Sequence, residues 1–219
     1  MMKKIFLTCV FVVSIAAVAA AAPTLDPSNP YYTYQRWDFD TDLTEYGTEF
    51  LAVTPETDQN PYGTATADVT LTNVEALDCD PAGWYASHGG RDGIMYGHDA
   101  SIDLWIPNVY EPGLYKEIQV KVAFSGYFVL GWTSAPPGHE VELLGYDVTG
   151  YADGWNELTI GWRIYPQPEE ELVHLEFTNS GVNIDSIEAA TICLPAPNAI
   201  ILCAIGTSLV GWLRRRRGF

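Results

Sequence analysis

From Tyr31 onwards apolar and polar residues alternate with a period of two, which excludes an amphipathic helix and demands half-buried strands. Ala65, Ala67, Val69 and Leu71 point one way while Thr66, Asp68, Thr70 and Thr72 point the other. Ile102, Leu104 and Ile106 repeat the pattern, as do Ile118, Val120, Val122 and Phe124 against Glu117, Gln119 and Lys121. Further on, Leu158, Ile160, Trp162 and Ile164 stand against Thr159 and Arg163, and Val173, Leu175 and Phe177 against His174 and Glu176. Turn residues separate the runs at Asp58 to Gly63, Asn108 to Gly113, Pro136 to Gly138, Asp153-Gly154 and Asn179 to Gly181. About eight short strands in one domain predict an all-β fold, a two-layer antiparallel β-sandwich of the jelly-roll kind. Trp37, Phe39, Phe124 and Trp162 are its expected large core side chains.

The two ends of the chain read differently. Lys3 and Lys4 precede an apolar run from Ile5 to Val18 and the small series Ala19 to Ala22, the layout of a secretory signal peptide over 1–21. The alternating body then occupies 22–194, and a tail occupies 195–219. In that tail Pro195, Ala196 and Pro197 lead into an uncharged stretch from Ala199 to Leu213, followed by Arg214, Arg215, Arg216 and Arg217. A helix over 199–213 would be about 22 Å long against a hydrocarbon core of about 30 Å. Trp212 and snorkelling arginines extend its reach, so a single transmembrane helix is expected, held in the membrane with the arginines cytoplasmic and the body outside. Signal and tail thus require the same topology.

The Pro-Ala-Pro turn, short glycine-containing helix and terminal arginine cluster resemble the PEP-CTERM sorting tail, with Ala196 where that motif carries glutamate. The resemblance implies export across the cytoplasmic membrane by the secretion translocon, and trimming by signal peptidase. It also implies anchoring by the C-terminal helix until an exosortase-like transpeptidase sorts the protein to the cell surface or extracellular space. Permanent anchoring is the alternative outcome.

All 28 acidic residues lie between Asp26 and Glu188, where only Arg36, Arg91, Lys116, Lys121 and Arg163 are basic, so this body carries −23 against −17 for the whole chain. Such a body repels nucleic acid and anionic membrane surfaces. It is compatible with cation binding or with solubility alone. Cys9 falls in the signal and Cys203 in the tail, leaving Cys79 and Cys193 as a candidate disulfide in an oxidising compartment.

Val182-Asn183-Ile184-Asp185-Ser186-Ile187 resembles the last strand of galactose-binding-like jelly rolls, with Arg36-Trp37-Asp38-Phe39-Asp40 as the first strand beside it. This resemblance implies a sandwich of a kind often used to bind carbohydrate. Asp38, Asp40, Asp42 and Glu49 have the spacing of a calcium loop, but Leu43 occupies the position that needs glycine. Asp38 or Asp40 joined by Asp185 is the better candidate for Ca2+, against the alternative of carboxylates on a solvated face. Asp78 to Ala100 is the longest stretch without a strand pattern. Within it Trp84 and Tyr85 are candidates to stack on a sugar ring while Arg91 and Asp92 bind its hydroxyls. Aromatics that merely pin the loop are the alternative, and His88 with His98 form a weaker metal candidate.

Catalytic signatures are missing from the chain: there is no Gly-x-Ser-x-Gly elbow, His139-Glu140 lacks the second histidine of a zinc protease helix, and Glu169 to Glu171 read as a solvated turn. The expected function is that of an exported, non-enzymatic surface or extracellular-matrix protein. A lectin-like module with structural calcium, bound to extracellular polysaccharide, and a secreted glycan-acting enzyme are the alternatives.

Overall fold

The computed structural model describes residues 24–72, 81–126, 128–178 and 181–195. In chain order its strands are β1 (Thr33–Trp37), β2 (Glu49–Val53), β3 (Thr57–Asp58), β4 (Thr66–Thr72), β5 (Gly83–His88), β6 (Arg91–Gly97) and β7 (Asp99–Pro107). These are followed by β8 (Leu114–Ser125), β9 (Phe128–Ser134), β10 (Glu140–Gly150), β11 (Asn156–Tyr165), β12 (Glu170–Phe177) and β13 (Val182–Pro195). A single 3-10 turn, Thr44–Tyr46, is the one helical element among the described residues. The fold is therefore all-β, and the strands form two antiparallel sheets.

The larger sheet runs β10-β11-β8-β13-β1-β3, with the β5–β6 hairpin added along β13, for eight strands; the smaller runs β2-β4-β7-β12-β9. β13 organises the larger sheet. One edge pairs with β8 from Asn183 opposite Ser125 to Pro195 opposite Leu114. Its other edge is shared, Val182 to Ile184 facing β6 and Ile187 to Thr191 facing β1, so the last strand lies beside the first, as the jelly-roll resemblance implies. A bulge between Ile184 and Ser186 marks the exchange of partners and turns Asp185 out of the ladder.

Between the sheets lie the residues of one alternation phase. Ile102, Leu104, Ile106, Val173, Leu175 and Phe177 of the smaller sheet are fully buried against Ile118, Val120, Val122 and Ile160 of the larger. Each such side chain removed from water contributes about 1.5–3 kcal/mol. The Phe124 and Phe177 rings meet across the layers at 5.2 Å, and Trp37, also fully buried, donates its indole N–H to the Val53 carbonyl at 2.9 Å. The smaller sheet does not cover the whole of the larger. On edge strand β10, Val141, Leu143, Tyr146 and Val148 face the same way as buried partners on β11, yet each is 41–45% exposed.

Three expectations need correction. Among the described residues thirteen strands form rather than about eight, because short strands such as β2, β3 and β5 lack a clean alternation. The described part of the stretch from Asp78 to Ala100 is not irregular: β5 and β6 make a hairpin closed by the two-residue turn Gly89-Gly90, whose φ values of 59° and 83° suit glycine in a primed turn. Glu171 is no solvated turn residue; it lies on β12, 1% exposed, in phase with Val173 and Leu175.

The signal region, the Ala196 to Arg217 part of the tail, and Cys79 lie outside the described residues. Cys193 is buried. No helix among the described residues is long and apolar enough to cross a membrane.

Candidate functional site

The sequence-predicted residues converge only in part, and those that do are engaged with one another. Arg91, at the start of β6, reaches Asp185 in the β13 bulge at 2.5 Å and Asp153 at 3.7 Å, with its guanidinium 4.3 Å from the Trp155 ring centre. Trp155 is buried and donates to the Gly89 carbonyl at 3.1 Å. Arg91 therefore braces the hairpin turn against β13 and the Tyr151 to Trp155 turn, with its face and both ends of its fork occupied.

Trp84 and Tyr85 do not stand out as exposed stacking platforms. Trp84 is half-buried against the core and donates its indole N–H to the Phe39 carbonyl at 2.7 Å. Tyr85 is half-buried in a cluster with His88 and Tyr96, the ring centres 4.9–6.1 Å apart. Asp92 is exposed beside them. Trp84 thus ties the hairpin to the Phe39 segment and the core, whereas the Tyr85 ring packs within the hairpin itself.

The calcium candidates are separated in the same way. Asp38 pairs with Arg36, which also reaches Glu188 at 3.2 Å, and Asp185 pairs with Arg91. Asp42 accepts from the Thr44 N–H at 3.0 Å and its hydroxyl at 2.7 Å, opening the 3-10 turn, and Glu49 sits in β2. His98 faces Asp99 at 3.3 Å, away from the Tyr85–His88–Tyr96 cluster. Among the described residues no three acidic, histidine or cysteine side chains converge as a metal site.

The Phe39 segment is held by an unusually close approach. Phe39 has a left-handed φ of 55°, and Gly93 on β6 has φ of 65° directly beneath it. A Cβ at Gly93 would stand 2.7 Å from the Phe39 carbonyl oxygen and 2.9 Å from the Asp40 carboxylate. Gly93→Ala is expected to cost about 1–3 kcal/mol, from the backbone conformation plus displacement of the carbonyl that Trp84 uses. A denaturant midpoint equal to the parent's would show that this approach does not exist in solution.

A second surface, not singled out from the sequence, carries a stronger arrangement. On the solvent-facing side of the smaller sheet, cross-strand neighbours form two rows. Thr66, Trp105, Leu172 and Ser134 make one; Asp68, Asp103, His174 and Trp132 make the next. Trp105 is 41% exposed and Trp132 49%, diagonal to each other across β12. His174 stacks on Trp132 with ring centres 5.0 Å apart and planes at 29°. Its Nδ1 lies 2.7 Å from Asp103 and its Nε2 3.2 Å from Glu176, so the imidazole is fixed on both sides. Next to Trp105 is a shallow depression of about 220 Å³ lined by Trp105, Ser134, Ala135, Pro136, Glu170 and Leu172. Flat apolar faces edged by hydroxyls and carboxylates can stack on a sugar ring and hydrogen-bond its rim.

Partial burial pulls the His174 pKa down, but the bonds to Asp103 and Glu176 outweigh it and the net direction is upward from 6.5. A raised folded-state pKa means that the charged imidazole stabilises the face fully below the unfolded-state pKa. That contribution is lost as pH rises through the higher folded value. An NMR titration should therefore place the His174 midpoint above 6.5, and Asp103→Asn should lower it; a midpoint at or below 6.5 in the parent would contradict the geometry.

The signal for this face was present as phase. Trp105 lies between inward Leu104 and Ile106, and His174 between inward Val173 and Leu175, so both had to point outward. No family model, curated protein or solved structure matches the chain.

Proposed function

We propose that this protein is an exported, non-enzymatic β-sandwich of the jelly-roll kind, sorted through its C-terminal tail to the cell surface or extracellular matrix. There the Trp105–Trp132 face holds a neutral polysaccharide. The observation that carries the reading is the pair of half-exposed tryptophans on one open sheet face, with His174 locked beside Trp132. A grouping of exposed aromatics on one face, rather than a single exposed side chain, marks a contact surface. The glycan is neutral because Asp68, Asp103, Glu170 and Glu176 surround the tryptophans on a body of net −23, which opposes an anionic polymer. Thr66 and Ser134 supply hydroxyl partners in the Trp105 row. Calcium has no part in this reading, since Asp38 and Asp185 already hold arginines.

A glycan array probed with detergent-solubilised full-length protein tests it. Signal on neutral hexose polymers, with little on uronate or sulfated ones, is expected; sugar-independent signal across the array would remove the glycan role. Export is tested separately by intact mass from membrane and extracellular fractions of the native host. A species ending near Pro195 supports sorting and release, while one retaining Arg214 to Arg217 in the membrane means a permanent anchor.

A further inference from the structure

At the opposite end of β8 and β13 from the Arg91 brace, a group of polar side chains is enclosed between the two sheets. Lys116 keeps the inward phase of Ile118 and Val120 on β8, and Glu171 keeps that of Val173 and Leu175 on β12. Both side chains are 0% exposed, and the amine nitrogen approaches one carboxyl oxygen to 2.7 Å. Asn108 extends the β7–β12 ladder by one step, its N–H donating to the Glu169 carbonyl at 2.6 Å. It is thus a diagonal cross-strand neighbour of Glu171 on the buried face, within side-chain reach. Buried Gln167 donates from Nε2 to the Asn108 carboxamide oxygen at 3.0 Å and to the Val109 carbonyl at 2.6 Å.

Five polar atoms of this group have no hydrogen bond of good geometry although all are enclosed: Asn108 Nδ2, Lys116 Nζ, Gln167 Oε1 and both oxygens of Glu171. The short Lys116–Glu171 approach is an ion-pair contact whose angles do not make it a hydrogen bond. An enclosed amine, carboxyl and amide without protein hydrogen-bond partners of good geometry call for a physical reason. An amine and a carboxamide meeting at one enclosed carboxyl group are also the reactants and catalyst of an amide exchange.

We propose that Lys116 and Asn108 become joined by an intramolecular isopeptide bond, formed by the folded protein itself with Glu171 as the acid–base group. With the pair's shared proton on Glu171, the neutral Lys116 amine attacks Cγ of Asn108. The Gln167 N–H on Oδ1 stabilises the oxyanion that develops there. Glu171 relays a proton from Nζ to Nδ2, the Nζ–Cγ bond forms, the Cγ–Nδ2 bond breaks and ammonia leaves. The exchange is redox-neutral and needs no co-reactant. Burial pushes the Glu171 carboxyl upward, opposed in part by Lys116 and by the Asn108 amide against it, as a proton-carrying catalyst requires. The product ties the end of β7 in the smaller sheet to β8 in the larger, and is independent of whether any glycan is bound.

The test is peptide mapping of denatured full-length protein. An acylated Lys116 resists trypsin, so a peptide spanning Asp92 to Lys121, uncut at Lys116 and lighter by one ammonia, is expected. Chymotryptic cleavage after Tyr110, between the two residues, should leave its halves still joined. Glu171→Gln is expected to abolish the link. Complete cleavage at Lys116 with an intact Asn108 in folded parent protein would overturn the proposal. So would loss of ammonia with halves that separate at Tyr110, which would place a cyclic imide at Asn108. A Lys116-to-Glu171 link formed by loss of water would overturn the Asn108 assignment, and a folded Glu171→Gln protein that still forms the link would overturn the role of Glu171. The parent map decides the bond even if that variant fails to fold.

Discussion

Replacing Trp105 and Trp132 together by alanine is expected to reduce glycan binding by more than about 100-fold, with each single change costing about 30-fold. The estimate rests on aromatic anchors at contact centres, where truncation costs about 2 kcal/mol or more and 1.4 kcal/mol is tenfold. The two costs need not add, because both rings would contact one ligand. Stability should barely move. Both side chains are roughly half-exposed on the outer face of β7 and β9, and changes at such positions usually stay within about 0.5 kcal/mol. Trp84→Phe supplies the opposite control: it removes the indole donor to the Phe39 carbonyl and should lower stability while leaving binding intact. Titration of the parent and these variants against the polymer selected on the array checks the prediction. Unchanged affinity in the double variant would sink the proposed face.

Phe177→Ala should have the largest effect on stability among single changes away from the polar cluster, about 3–5 kcal/mol. Phe177 is fully buried on β12 and meets Phe124 of β8 across the gap between sheets, so its removal opens a cavity at a contact that both layers share. A domain of this size has only about 5–15 kcal/mol of net stability, and a loss on that scale can unfold much of the population. Phe177→Leu, which refills most of the volume, should cost much less. Denaturant unfolding of the two variants checks the ordering. A Phe177→Ala cost below about 1 kcal/mol would mean that this side chain is not enclosed between two sheets.

The period-two pattern carried most of the architecture. It assigned the inward faces of β4, β7, β8, β11 and β12, and the resemblance at the two ends anticipated β13 beside β1. Carried two residues further towards the N-terminus of β8 and of β12, and read on its outward side in β7 and β12, the same phase locates both sites. Trp105 and His174 fall on the outward phase. Lys116 falls on the inward phase of β8, and Glu171 on that of β12. Glu171 reads as solvated from the sequence because it ends a run of three acids after Pro168, a local composition that masks its place in the alternation.

What remained illegible is contact across the sequence. Arg91 and Asp185 are 94 positions apart, and nothing local shows that a bulge turns one towards the other. Trp84 and Tyr85 sit among glycines, a histidine and charged residues, a composition typical of a loop. Their burial comes from Phe39 and Tyr96, which the β5–β6 hairpin brings to them. The glycines that looked like loop residues are instead the turn at Gly89-Gly90 and the close approach at Gly93.

The indole N–H resonances of the full-length protein, followed by NMR during titration with an oligosaccharide of the array-selected glycan, test the central claim most directly. The account predicts shifts confined to Trp105 and Trp132, accompanied by the His174 ring, with the Trp84 and Trp155 signals unmoved in their carbonyl bonds. Shifts at Trp84 with a silent Trp105 and Trp132 would return the site to the β5–β6 hairpin and contradict it.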